Sequence, residues 1–483
     1  MTNPPSITIV GAGFGGVGMA ARLLQAGFGD VTLFERAQRV GGVWAANTYP
    51  GAACDIPAPL YSFSFALNPD WSRRYPPQAE IRDYLERTAA RFGVLPLIRF
   101  GTEVLDAAYA DDAREWRLRL ANGTTHRTDV LITACGQLTR PSVPPIPGLA
   151  DFTGTAFHSA HWRHDHDLTG RRVAVVGTGA SAIQFVPHVV RRAAHTTVFQ
   201  LDPPHVIPKP DREYGPALRS AFRRLPALMT LDRGLTYGRL EFRALGFTRY
   251  PQLLSVVTKR TTALLESSVP DPALRGQLMP KDAPGCKRIL LSDDYFAALA
   301  RPSAELVTSP IVRIVPEGLL TDDGRAHPAD TLIWGTGFTA TDFLTPMTVT
   351  GSGGRALTEE WRDGAEAYLG ITVTGFPNLF LLYGPNTNLG HNSIIYMLES
   401  QIRYVLGAVR RFARTGAPLD VRPEAQRRFS EWVQRRITAT VWDRGCTSWY
   451  RTASGRNTTN WPDFTFAYRL RTRRFDPAAY RAA

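Results

Sequence analysis

The sequence predicts an α/β fold built on two Rossmann-like dinucleotide-binding units, the second carrying a helical insertion. Three observations predict it. The β-branched run Ile7–Val10 leads straight into Gly11-Ala12-Gly13-Phe14-Gly15-Gly16, a GxGxxG turn. Helical spacing follows over 17–24, then a second strand, Val31–Phe34, that ends on Glu35. The pattern recurs where Arg172–Val176 runs into Gly177-Thr178-Gly179-Ala180-Ser181-Ala182, a GxGxxA turn followed by a helix and a strand at 196–200. Between 203 and 284 the strand pattern lapses, and helical segments at 217–225, 235–245 and 253–266 are separated by glycine and proline.

Each part of the first unit has a physical job. Gly11 makes the turn, Gly13 lets the backbone approach a pyrophosphate, and Gly16 lets helix and strand pack closely. Phe14 and Gly15 open the helix, whose N-terminal N–H groups and dipole favour phosphate. Glu35, with Arg36 beside it, is placed to meet an adenosine ribose. Two such units imply two dinucleotides, and the economical pair is FAD and a nicotinamide. The second unit ends its strand at Gln200-Leu201 without an acid, which tilts it toward NADPH, although Asp202 is near and no arginine stands there.

The stretch from Gly42 to Asp55 follows the first unit and carries a Pro-Gly turn, an aromatic anchor and an acid. An acid that close behind a dinucleotide unit is placed to reach the reactive end of a cofactor. Spacing predicts a helix over 83–92, and alternation over 102–120 with Asn122-Gly123 predicts a hairpin or meander. Strands are expected at 130–136, 289–291, 311–315, 331–338 and 376–382. The proline-rich segment 141–148 reads as a semi-rigid linker. The polar loop 384–393 feeds a long helix from 394 to about 414, whose N-terminus suits an anion or a reduced flavin ring. His391, in that loop, reads as structural. The tail 446–480, rich in aromatics and arginine, should pack against the cofactor units.

Composition narrows the function classes. At ~150 residues per domain, 483 residues make about three units, or two with an insertion. The net charge of +13 comes nearly all from arginine, without the basic runs interleaved with aromatics that nucleic-acid binding needs; a basic protein still attracts anionic cofactors. The four scattered cysteines form no CxxC, which argues against a zinc site, a dithiol redox pair or a disulfide scaffold. With no leader pattern before Ile7 and no apolar run near the ~18 residues of a membrane span, a cytoplasmic setting is expected.

Two further patterns carry a family resemblance. Phe152, Gly154, His158 and Trp162 fit FxGxxxHxxxW, and Gly42, Trp44, Tyr49, Pro50, Gly51 and Asp55 fit GxWxxxx[F/Y]PGxxxD. With both dinucleotide motifs in order, the chain resembles the class B flavin-dependent monooxygenases of Baeyer–Villiger type. The resemblance implies an FAD domain at 1–140 and 335–483, split around an NADP-binding domain at 150–334 whose insertion is 203–284. It implies Arg288 as the catalytic arginine and Asp55 as its ion-pair partner, Lys287 at the 2′-phosphate, Trp449 at the nicotinamide cofactor's ribose, and His158 in domain positioning. The cofactor contacts it implies add Val43, Tyr61, Val104, Ala134 and Gln184 to the residues above. The implied reaction uses NADPH, FAD and O2 to form a C4a-peroxyflavin that inserts oxygen beside the carbonyl of a small organic substrate, a ketone, giving an ester or lactone. The alternative is oxygenation at nitrogen or sulfur with the same cofactors. The chain departs from the family pattern at Arg163, where proline or aspartate is usual, and at Leu201, where arginine is common. Its loop 387–393 looks more like the shorter branch than the cyclic-ketone enzymes.

Overall fold

Ile7–Val10 lies at the centre of a five-stranded parallel sheet, ordered Leu379–Leu381, Val130–Thr133, Ile7–Val10, Val31–Phe34 and Ile98–Arg99. The structure is a computed structural model that describes residues 4–443, 448, 450–452 and 454–482. A second parallel sheet runs Ala304–Val307, His195–Phe199, Arg172–Val176, Thr331–Trp334 and Thr155–His158. Register explains why each sheet makes a binding edge. Val10 pairs with Phe34 and with Thr133, so three strands end level and release Gly11, Glu35 and Ala134 at one edge. Val176 likewise pairs with Phe199 and Trp334, and releases Gly177, Gln200 and Gly335 together. Ligands of open α/β sheets bind at such carboxyl ends.

The chain passes between the sheets twice, and the two passages touch. Ser142 N donates to Gly337 O at 2.9 Å, and Thr339 N donates to Arg140 O at 3.0 Å. A meander of Val104–Ala110, Glu115–Leu120 and Thr125–Thr128 flanks the first sheet, joined by Thr348–Thr350. The hairpin expected over 102–120 is therefore present and longer. The strand expected at 331–338 stops at Trp334, because the small residues after it turn away as the sheet edge.

The insertion is helical, with boundaries that differ from the sequence pattern. Its helices are Pro216–Arg224, Pro226–Thr248, Ser255–Ser268 and Pro272–Leu278. Pro226 starts a helix because a first-turn proline gives up no intrahelical bond, and Gly234, Gly238 and Gly246 lie inside it. The longest insertion helix clamps the first unit. Arg233 Nη1 donates to Pro59 O at 2.7 Å and Ser62 O at 2.8 Å. The buried Glu241 carboxylate accepts from Asn392 Nδ2 at 2.6 Å, Thr465 Oγ1 at 2.6 Å and Phe466 N at 3.1 Å.

The Pro50-Gly51 turn joins the two units directly. Gly51 has φ +82°, and a Cβ there would stand 2.5 Å from Gln184 O and 2.7 Å from His188 Nε2. Gly51→Ala is expected to lower stability by more than about 1 kcal/mol, through backbone strain plus loss of this close approach. Gly27→Ala is the control, since Gly27 has φ +88° and nothing within 4 Å of its Cβ position. Thermal unfolding checks this, and equal shifts for the two variants would contradict the packing role of Gly51.

Candidate active site

A cavity of about 560 Å³ opens at the carboxyl edge of the first sheet and reaches the second unit. Of the residues expected from sequence, Gly11, Gly13, Phe14, Gly15, Glu35, Arg36, Gly42, Val43, Trp44, Tyr49, Asp55, Tyr61, Val104, Ala134, Ala180, Ser181, Gln184 and Arg288 line it. Gly16 stands behind the wall, where a Cβ would meet Gly11 O at 1.8 Å. Ala182 packs where Gly335 has no side chain, and a Cβ on Gly335 would lie 3.1 Å from its methyl. Gly177, Thr178, Gly179 and Lys287 lie outside this cavity, and Trp449 lies outside the described residues.

The first turn suits a pyrophosphate. Gly13 and Gly42 face each other, with a Cβ on Gly42 only 3.1 Å from Gly13 Cα. The helix Phe14–Gln25 has no side-chain cap, which leaves its first N–H groups for an anion. Glu35 is buried and braced by two backbone donors, Ala12 N to Oε2 at 2.7 Å and Ala37 N to Oε1 at 2.8 Å. Its remaining lone pairs suit ribose hydroxyls. Trp44 Nε1 donates to Tyr61 Oη at 3.1 Å, which fixes two aromatic walls edge to face. Backbone, carboxylate and aromatic surfaces together fit FAD.

Asp55 and Arg288 meet at the cavity wall. Arg288 Nε donates to Asp55 Oδ2 at 3.0 Å and Nη2 donates to the same oxygen at 2.5 Å. The two side chains keep 36% and 25% of their surface accessible, and both line the cavity. The Asp55 charge, working against burial, holds the Arg288 guanidinium above its usual range. Arg288 is positioned by the strand Leu290–Leu291, which pairs with Val206–Ile207. Asp55 is positioned by the loop before it, and Gln184 of the second unit grips that loop. Tyr49 Oη donates to Gln184 Oε1 at 3.1 Å, and Gln184 Nε2 donates to Ala53 O at 3.0 Å.

Two tyrosines lie near the guanidinium. Burial pushes the Tyr450 hydroxyl up to about 12, with Arg288 opposing. Burial likewise raises Tyr383, whose hydroxyl donates to Asn388 Oδ1 at 2.7 Å. The loop 384–393 is woven to the tail: Asn386 Nδ2 donates to Asn457 O at 2.9 Å and Asn388 N donates to Thr459 O at 2.9 Å. The helix Ile394–Thr415 is capped by Ser393, and Ile394 and Ile395 at its start line the cavity.

Neither His158 nor His391 lines the cavity. His158 Nδ1 accepts from Ala160 N at 3.1 Å, and its ring meets Phe338 edge-on where the chain returns to the first sheet. Trp162 packs on Phe157 and Phe185. His391 is buried against Phe247 outside the cavity lining, and among the described residues neither ring nitrogen has a hydrogen-bond partner.

Lys287 lies between two carboxylates. Its Nζ pairs with Asp282 at 2.7 Å and Asp202 at 3.1 Å. Burial works against its charge, and the hydrogen bonds to Asp282 and Asp202 outweigh that and raise its pKa.

Sequence reasoning missed Gly136–Thr139, Thr345–Met347 and Tyr383 as lining residues, whereas Asn388 lies in the loop expected there. The segment 136–139 directly follows a strand of the first sheet and Tyr383 follows another, so the carboxyl-edge rule could have found them. Thr345–Met347 had no such signal.

Two dinucleotide units around one cavity, with a charged pair at their junction, define a flavin- and nicotinamide-dependent oxidoreductase. Residues 5–207 match the flavin-binding monooxygenase-like family. A Baeyer-Villiger monooxygenase of Streptomyces coelicolor is 45% identical over 478 residues, which is 98% of this chain and 92% of that protein. A solved structure of oxidized steroid monooxygenase bound to NADP is similar with a TM-score of 0.87 at 30% identity, covering 98% of this chain and 97% of that one. A structure of the OTEMO complex with FAD and NADP is similar with a TM-score of 0.87 at 27% identity, covering 98% of each chain. The chain belongs to the Baeyer–Villiger monooxygenases, within the flavin-binding monooxygenase-like proteins.

His391 generates a pH prediction. Burial first, and Arg243 second, lower its pKa to about 3, so the folded chain holds it neutral. Its contribution to stability is complete above the unfolded pKa near 6.5 and is lost as pH falls toward 3, because only the unfolded chain takes up the proton. Between pH 7 and pH 5 this group should remove about 2 kcal/mol of stability. His391→Gln is expected to flatten that part of the profile in denaturant unfolding at the two pH values. A profile as steep as that of the wild type would contradict it.

Proposed function

We propose that the chain catalyses insertion of one oxygen atom from O2 beside the carbonyl of an organic ketone, giving an ester or lactone, with FAD bound and NADPH consumed. The balanced reaction is ketone, O2, NADPH and a proton to ester, NADP⁺ and water. FAD, reduced by the nicotinamide, supplies with O2 the oxygen to be transferred. Of the relatives named above, the Streptomyces coelicolor protein is a Baeyer-Villiger monooxygenase, the OTEMO structure holds FAD and NADP, and the steroid monooxygenase structure holds NADP. No helix among the described residues is long and apolar enough to cross a membrane.

The single observation that carries this reading is the Arg288–Asp55 pair on the cavity wall. Oxygen insertion at a carbonyl develops negative charge on oxygen. A guanidinium is suited to that charge because it stays protonated throughout the physiological range and offers several donors. Asp55 engages Nε and Nη2, which orients the group and balances its charge. Trp44, Tyr61 and Tyr49 wall the cavity and limit water around the reacting groups. Gln184 holds the loop that carries Asp55, so both units must be together before the site is complete.

Arg288→Ala is expected to retain NADPH oxidation while ester formation falls by about 100-fold or more, on the scale of losing a transition-state donor. Asp55→Asn should lower the same step by less. Product mass spectrometry set against NADPH consumption, over a ketone and a sulfide of similar size, checks both. Ester formed at the wild-type rate by the alanine variant would remove Arg288 from this role. Oxygenation of the sulfide alone would move the activity to heteroatoms.

A further inference from the structure

The ribose edge of the second dinucleotide unit is built from acids. In such units the residues just past the second strand meet the adenosine ribose: an acid accepts from the 2′-hydroxyl, and an arginine accommodates a 2′-phosphate. Here that strand is His195–Phe199. Gln200 after it is buried, and its Nε2 donates to Gln277 O at 3.1 Å. Leu201 is 74% exposed and has no polar atom to offer. Asp202 is tied to the glycine turn, since Thr178 Oγ1 donates to its backbone O at 3.3 Å while Gly177 N donates to Phe199 O at 3.0 Å.

The cation beside this edge is already engaged. Lys287 Nζ bridges Asp202 and Asp282 at 3.1 and 2.7 Å. His205 Nε2 lies 2.9 Å from Asp282 O, and burial lowers its pKa and keeps the ring neutral. Arg288, next in sequence to Lys287, is committed to Asp55. Two carboxylates and one ammonium leave this cluster with one net negative charge. A 2′-phosphate brings about −1.5 to −2 at neutral pH. Lys287 has one N–H left beyond the two carboxylates, so a 2′-phosphate that reached it would stand beside both of them. A 2′-hydroxyl can instead donate to Asp202 and leave the bridge intact.

We propose that Asp202 sets the dinucleotide specificity of this chain, and that the Asp202–Lys287–Asp282 cluster accepts NADH alongside NADPH instead of selecting for the 2′-phosphate. The proposal rests on the reading of the second unit as the nicotinamide site and goes beyond it. Asp202 acts as the ribose acceptor, Lys287 holds Asp202 in place, and Leu201 leaves the phosphate position without a donor.

The test is equilibrium binding to the FAD-loaded enzyme, by titration calorimetry with 5′-AMP and 2′,5′-ADP, and with NAD⁺ and NADP⁺. The wild type should bind the members of each pair within about 10-fold of each other. Asp202→Asn keeps the shape of the side chain and removes its charge. It should weaken 5′-AMP about 5-fold or more and tighten 2′,5′-ADP about 10-fold, and Leu201→Arg should tighten 2′,5′-ADP further. Flavin content and circular dichroism confirm that the variants are folded. A wild-type preference of about 100-fold or more for 2′,5′-ADP, or an Asp202→Asn variant with both affinities unchanged, would overturn the proposal. Binding of neither NAD⁺ nor NADP⁺ would overturn the nicotinamide reading of the unit itself, which is a separate failure.

Discussion

The ion pair between Asp55 and Arg288 is the constraint on which the site depends. Its members come from opposite units and lie far apart in sequence. A guanidinium facing a walled cavity is costly to hold unless an opposite charge satisfies it. Asp55 supplies that charge and orients the group through Nε and Nη2. Neither residue reaches its place alone. Arg288 depends on the short strand pair of Leu290–Leu291 with Val206–Ile207, and Asp55 depends on a loop held by Gln184 from the second unit. The pair therefore reports whether the two units have come together.

The remaining architecture makes that meeting possible. Level strand ends place two glycine turns at sheet edges, and the uncapped helix after the first leaves N–H groups for phosphate. The side-chain-free surface at Gly51 lets the helix Ala182–Val190 rest on the loop before Asp55. From the other side, Glu241 ties the insertion to Asn392 and Thr465, and Arg233 ties it to the carbonyls of Pro59 and Ser62. The insertion thus holds the first unit while belonging in sequence to the second.

Much of this was legible in the sequence, for a physical reason. Glycine turns, strand-ending acids and the Tyr49-Pro50-Gly51 turn are local patterns whose spacing sets their geometry. Glu35 and Asp55 could be singled out from such spacing, and the structure places both on the cavity. Interactions between distant segments were less legible. Lys287 was expected at the 2′-phosphate from the family resemblance alone, and its partners within the chain, Asp202 and Asp282, are set by how two loops fold back on each other. Gln184 was expected to touch cofactor, and it lines the cavity while also pinning the Tyr49–Ala53 loop, a contact no spacing rule reveals. Helix boundaries in the insertion were blurred because Pro226 and three glycines resemble breaks, while tertiary packing carries the helix through them.

A double-mutant cycle on the rate of ester formation, with Arg288→Ala, Asp55→Ala and the two combined, tests the central claim most directly. If Asp55 acts by holding and balancing Arg288, the double variant should be no worse than Arg288→Ala alone, a strongly non-additive result. Losses that add would show that the two residues act independently, and would contradict the account.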